Sequence, residues 1–187
     1  EPCPQNTAPA LTVSCLAALD LYSEDDYFLA MPSDHLIKDE KAFHEAVLKG
    51  VEVVSNDSIV LFGIEPDKPH TGYGYIEHSE KSADYFKAIR FTEKPVLLEA
   101  EKFLLAGNYL WNGGIFLINI KLFLSLIKQK DESILKHSQA AIKTSQKTEN
   151  FLELDEIHFS KVKGTSIDHL IMNNIEEMGV DTKVVPM

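Results

Sequence analysis

Apolar positions along the chain repeat with two periods, one helical and one extended, and the two alternate. Residues 7–22 place Ala10, Leu11, Leu16, Ala17 and Ala18 in a helix-forming run, with Pro9 suited to its first turn and Asn6 or Thr7 to its cap. Tyr27 to Met31 is a short apolar run closed by Pro32, Ser33 and Asp34, the pattern of a buried strand and a turn. Over residues 39–55, Phe43, Ala46, Val47, Val51 and Val54 share one helical face. Ser58 to Ile64 reads as another buried strand, residues 66–74 as loop, and Tyr75 and Ile76 as resumed extended chain. Ala88 to Thr92 alternates like a strand that Pro95 keeps short, residues 97–106 form a helix closed by Gly107 and Asn108, and Gly114 to Ile118 is a strand. Helices are predicted over 121–129 and 132–146, and short helix and loop over 151–159. A last helix is predicted from a Thr165–Asp168 capping box to Met178.

Buried strands alternating with amphipathic helices predict an α/β fold whose sheet is mixed, mostly parallel and flanked by helices. No repeat or linker divides the chain, and 187 residues suffice for one domain with its own core. Ligands of such sheets collect beyond the strand ends. Four uncommon turns are expected there: Pro32 to His35, Thr71 to Tyr75, Thr92 to Pro95 and Trp111 to Gly114.

Charge narrows the partners. Eighteen basic against twenty-nine acidic residues give a net charge of −11, which repels phosphate backbones and anionic lipid. Nucleic acid and membrane surfaces are therefore excluded as expected partners, and phosphate handling would need a metal ion or a well-placed lysine. Cys3 and Cys15 form no CxxC and have no histidine pair at zinc spacing, so they read as idle thiols of a reducing compartment. Both ends read as interrupted: there is no initiator Met at Glu1, and a strand-like segment runs into Met187.

Each turn carries a chemical reading and a plainer one. Asp34, after a strand and a Pro-Ser turn, is placed to hold a hard divalent cation with phosphates completing its shell, or else to cap the turn leading to the next helix. His35 has no second histidine at ligand spacing and reads as a satisfied structural residue. Gly72 and Gly74 allow close backbone approach to a ligand, as does any hairpin loop. Glu93 and Lys94 offer an acceptor for sugar hydroxyls and a compact cation for a phosphate, or an exposed charge pair before a proline. Asn112 and Gly113 suit a polyol, and Asn-Gly is also a common turn pair. The helix opened by Asn6, Thr7, Ala8 and Pro9 presents backbone N–H groups to a base or phosphate, or is simply capped.

Together and in this order, Glu1–Pro2, Asn6–Ala10, Met31–His35, Phe62–Ile64, Thr71–Ile76, Phe91–Pro95, Trp111–Phe116 and Ser166–Asp168 resemble the bacterial mannose-1-phosphate guanylyltransferases, or GDP-mannose pyrophosphorylases. The resemblance runs over nearly the whole chain. It implies a Rossmann-like nucleoside-diphospho-sugar transferase fold, truncated here at both ends, that joins GTP and mannose 1-phosphate into GDP-mannose and pyrophosphate. Carried over by position, it implies Asp34 as a ligand of catalytic Mg²⁺ (or Mn²⁺) and Asn6, Thr7, Ala8 and Pro9 near the nucleotide. Gly74, Glu93, Asn112 and Gly113 would line the sugar, and Lys94 would face its phosphate as the second catalytic residue. A cytoplasmic enzyme is implied, and a homodimer is allowed. Two departures stand out: Gln5 where the family often has Arg, and Gly113 where Ser is common, the second read as mild. The family's first strand and glycine-rich phosphate loop would precede Glu1, and a second metal carboxylate would follow Met187. The stretch 1–187 alone is therefore expected not to turn over. The rival readings are another sugar-1-phosphate nucleotidyltransferase and a non-catalytic nucleotide- or sugar-binding regulatory module.

Overall fold

The structure is a computed structural model describing residues 1–82 and 84–187. In chain order its elements are α1 (Thr7–Ala18), β1 (Tyr27–Ala30), α2 (Glu40–Val53), β2 (Ser58–Ile64), β3 (Tyr75–Ser82), β4 (Tyr85–Thr92), α3 (Leu97–Ala106), β5 (Tyr109–Asn119) and α4 (Ile120–Lys143). There follow β6 (Gln146–Lys147), β7 (Leu152–Glu153), α5 (Glu156–Phe159), α6 (Ile167–Leu170), a 3₁₀ turn at Met172–Asn174, α7 (Ile175–Met178) and β8 (Asp181–Pro186). The chain divides into two compact units: Glu1–Asp26 with Ile120–Met172, and Tyr27–Asn119 with Asn173–Met187.

The first unit is mainly helical, with the short β6–β7 pair as its sheet. α1 lies along α4, whose buried Phe123, Ile127 and Ile134 follow helical spacing, and α5 packs on α4 through buried Phe159. The two helices predicted on either side of residue 130 are the halves of α4, which breaks at Asp131 (φ −155°, ψ 91°). Asp131 accepts the Ser133 N–H at 3.0 Å and so restarts the helix as a cap.

The expected final helix does not run unbroken to Met178. The Thr165 backbone pairs with the chain before and inside α1, accepting from Ala8 N and donating to Gln5 O. That removes Thr165 from the cap, and Ser166 takes the place, accepting the His169 N–H at 3.1 Å. Three short turns, α6, the 3₁₀ segment and α7, stand where one helix was expected.

The second unit is built on a six-stranded sheet in the order β1-β5-β2-β8-β4-β3, with β5 also pairing β3. It is mixed, as expected, but mostly antiparallel: among the described residues only β2 and β8 run parallel. The continuous apolar runs correctly report strands buried on both faces, yet burial carries no information about the neighbour's direction. Connection length does. β3 ends at Ser82 and β4 begins at Tyr85, too short a link for anything but antiparallel pairing. Arg90 Nη2 meets Glu77 Oε2 at 3.0 Å across that pair.

α2 covers one face of the sheet. Its N-cap Asp39 accepts the Ala42 N–H at 2.9 Å, and Ala46 joins Val60, Phe62, Ile115, Leu117 and Val185 in a buried cluster. Gly50 permits this approach, because a Cβ there would lie 2.8 Å from Phe62 Cζ. α3 closes at Gly107 (φ +73°), as its Gly-Asn ending predicted, and brings Ala100 and Phe103 against Tyr75, Tyr109 and Trp111.

Both cysteines are free. Burial inside the first unit pushes the Cys15 thiol up to about 12, whereas Cys3 is half-buried. Because the thiolate is the reactive species, alkylation at mildly alkaline pH followed by peptide mass mapping should mark Cys3 in the native protein and Cys15 only after denaturant is added.

Candidate active site

The second unit contains a cavity of about 640 Å³. Its polar contributors are Asp34, His35 and Asp39 from the segment after β1, and Asn112 with Gly113 and Gly114 from β5. Its apolar wall includes Phe43, Tyr73, Trp111 and Met187. No regular element holds residues 31–38, which carry Asp34 to the cavity edge.

Asp34 is exposed and, among the described residues, has neither hydrogen bond nor ion pair. With no such bond it does not cap the turn that leads to α2, whose own N-cap is Asp39. His35 is a correction. It is exposed, without a hydrogen bond among the described residues, and faces the cavity rather than sitting satisfied in a core.

Trp111 to Gly114 is not a turn after a strand but lies inside β5. There the β2–β5 register jumps from Leu61↔Phe116 to Gly63↔Asn112, the mark of a bulge. Gly114 adopts φ +68°, and Asn112 Oδ1 accepts its N–H at 3.2 Å. A Cβ on Gly113 would meet the Phe62 carbonyl oxygen at 2.7 Å. The change from Ser to Gly at this position is therefore not mild in this chain, since backbone rather than a movable side chain fills the space.

Gly74 ties the remaining residues to the bulge. Its carbonyl accepts the Asn112 N–H at 2.8 Å, and a Cβ on it would lie 2.6 Å from Phe91 Cζ and 2.8 Å from Glu93 Oε2. The room left by the missing side chain is thus taken by Phe91 and Glu93. Lys94 Nζ pairs with Glu93 Oε1 at 3.3 Å, with the lysine side chain 64% exposed. Its backbone sits at φ +44°, left-handed for a residue with a Cβ, and its N–H donates to Tyr73 O at 3.2 Å. Gly74, Glu93 and Lys94 do not line the cavity themselves; they adjoin its wall through Tyr73 and Asn112.

Asn6, Thr7, Ala8 and Pro9 belong to the first unit. The expectation of free N–H groups at this helix start is overturned. Asn6 Oδ1 takes the Thr7 N–H at 2.8 Å, Thr165 O takes that of Ala8, Asn6 O that of Ala10, and Pro9 has none. Thr7 Oγ1 accepts from Ile167 N at 2.9 Å, and Ala8 and Pro9 are buried. What remains outward is the exposed surface of Asn6, itself at φ +69°, and of Thr7.

Among the described residues no group of three or more His, Cys, Asp or Glu is placed to hold a metal ion. Mg²⁺ commonly takes one or two carboxylates and completes its octahedron with water and substrate phosphate. One uncommitted carboxylate at a cavity edge, Asp34, fits that donor pattern. No helix among the described residues is long and apolar enough to cross a membrane.

The chain belongs to the nucleotidyl transferase family, whose model matches residues 1–157. Mannose-1-phosphate guanylyltransferase of Escherichia coli (strain K12) is 37% identical over all of this chain, which spans 40% of that protein. A Thermus thermophilus structure described as mannose-1-phosphate geranyltransferase superposes with a TM-score of 0.85 at 25% identity, over the whole of this chain and 51% of that one. A Helicobacter pylori structure described as mannose-6-phosphate isomerase gives a TM-score of 0.85 at 30% identity, over 99% of this chain and 69% of its own.

The bulge yields a direct test. Gly113→Ser should lower unfolding stability by about 1–3 kcal/mol, as overpacking against fixed atoms does, measured as the shift of the urea midpoint.

Proposed function

We propose that the chain is the central, sugar-binding part of a longer nucleotidyltransferase domain that forms GDP-mannose and pyrophosphate from GTP and mannose 1-phosphate. The observation that carries this reading is the junction at Gly74. A single residue joins the Asn112 bulge by its carbonyl and admits Glu93 by its missing side chain, while the adjoining Tyr73 carbonyl holds Lys94. An amide, a carboxylate and a cation are thereby set on neighbouring backbone, a set suited to sugar hydroxyls and one phosphate.

In this reading Glu93 and Asn112 take hydroxyls of the hexose, with Gly74 and Gly113 leaving the room that Glu93 and the β5 bulge need to take their places. Lys94 exchanges its Glu93 partner for the sugar phosphate and orients that phosphate. An oxygen of the sugar phosphate, already ionised and needing no base, attacks the α-phosphorus of the nucleotide in line. The bond from that phosphorus to the oxygen bridging to the β-phosphate breaks, and pyrophosphate leaves with the bonding pair. Asp34 would hold the divalent ion, Mg²⁺ or Mn²⁺, which would supply neutralisation of phosphate charge. No protein nucleophile is required, since positioning and charge neutralisation carry such transfers. The exposed surfaces of Asn6 and Thr7 contribute to nucleotide binding.

The left-handed backbone at Lys94 supports the assignment. Strain of this kind costs about 1–3 kcal/mol and persists where surrounding structure over-determines it, often at functional sites.

Two variants of the full-length protein test the reading. Asp34→Asn should reduce pyrophosphate release by about a thousandfold or more at ordinary Mg²⁺ while leaving the circular-dichroism melt in place; near-normal turnover would remove Asp34 from the metal. Lys94→Ala should raise KM for mannose 1-phosphate and lower kcat, with KM for GTP little changed; unaltered constants for the sugar phosphate would refute its role. Parallel assays with GTP and UTP decide between a guanylyltransferase and a sugar-phosphate transferase using another base.

A further inference from the structure

Three rings meet at the cavity wall of the second unit. The His70 imidazole lies flat on the Tyr73 phenol, with centroids 4.0 Å apart and planes at 13°. Trp111 stands across Tyr73 at 5.1 Å and 66°. Tyr73 and Trp111 line the cavity, whereas His70 does not. With His70 against its ring, Tyr73 keeps 45% of its surface exposed. A large aromatic left half-open in a loop has surrendered burial that it would gain by folding inward, and the loop prevents that move. His70 Nδ1 accepts the Gly72 N–H at 3.0 Å, the His70 N–H donates to the Tyr75 hydroxyl at 2.9 Å, and Tyr73 O accepts from Lys94 N at 3.2 Å.

We propose that Tyr73 is the stacking platform for the pyranose ring of the sugar phosphate, and that His70 is the positioning residue that holds it in place. The inference rests on the sugar-phosphate site proposed above. A pyranose is a rim of hydroxyls around a flat patch of C–H bonds, so it binds by laying that patch on an aromatic face while polar groups take the rim. Asn112 lies on the same cavity, and Tyr73 O is bonded to the lysine assigned to the phosphate. Platform, rim contact and cation are therefore linked through single backbone hydrogen bonds. The platform selects the substrate class: it favours ring-closed hexose phosphates over open-chain hexitol phosphates of equal charge, because only the ring offers a flat C–H face.

The test uses calorimetric titration of the full-length protein with mannose 1-phosphate and with mannitol 1-phosphate, beside steady-state kinetics. Wild-type protein should bind the cyclic phosphate about tenfold more tightly than the open-chain one. Tyr73→Ala and Tyr73→Leu should each erase most of that preference, weakening the cyclic ligand about tenfold and leaving the open-chain one unchanged, while Tyr73→Phe retains it. His70→Ala should raise KM for mannose 1-phosphate with kcat held, since stacking binds ground and transition states alike. His70→Phe, which keeps a flat ring against Tyr73, should restore most of the loss, a rescue that general damage to the loop would not show. If both Tyr73→Ala and Tyr73→Leu bind mannose 1-phosphate as wild type does, the platform is overturned and the sugar site stands. If wild-type protein binds neither phosphate, the site itself falls and the platform with it.

Discussion

Strand β5 has to satisfy ladders that do not share a register. Toward its end, Phe116 to Asn119 pair with β1, and Phe116 to Ile118 also pair with β2; at its start, Tyr109 to Trp111 pair with β3. Between Leu61 and Gly63 the partner strand advances two residues, while β5 passes from Phe116 back to Asn112, a step of four. The surplus has to leave the plane of the ladder, and it does so at Gly113 and Gly114. One of these adopts φ +68°, and the other is too close to the Phe62 carbonyl to carry a side chain. Everything polar on that side of the cavity follows from this mismatch. Asn112 pairs with Gly63 beyond the jump, gives its N–H to Gly74, and the loop bearing Tyr73 lies beside Lys94.

Conformational strain falls on two of the residues that the sequence offers as ligand contacts. Among the described residues, the non-glycine positions with positive φ are Asn6 and Lys94. Asparagine tolerates that region because its short amide bonds locally, and here it bonds the next N–H in the chain. Lysine has no such compensation. Its turn is held from outside, by the Tyr73 carbonyl and by the buried Pro95 that follows.

Local pattern was legible wherever a local cause sufficed. The apolar run Ser58–Ile64, the helix closed by Gly107 and the break near residue 130 each depend on neighbours within a few positions, and each is where the sequence places it. Strand direction was not legible, because β5 is oriented by partners far away in sequence. The candidate site was half legible. Asp34, Asn112 and Gly113 line one cavity, and Gly74, Glu93 and Lys94 adjoin it, but the free N–H groups expected before Ala10 are consumed by Asn6 and Thr165. Tyr73, Phe43 and Met187 were missed because an apolar residue at a cavity wall and one in a core have the same local signature. The cue that was present is Tyr73 itself, an aromatic set between two glycines in a stretch otherwise read as loop.

Trp111 is the only tryptophan in these 187 residues, and its indole N–H is buried with no acceptor among the described residues. Light absorbed by indole therefore reports from one wall of one cavity, with the Tyr73 ring at 5.1 Å and the Tyr75 ring at 6.5 Å as adjacent energy donors. An N–H deprived of hydrogen bonding in a ring of aromatic neighbours emits toward the blue, and entry of water or of a polar ligand would redden that emission. The stretch thus carries an optical probe in the wall of its cavity, installed by the packing that shapes it.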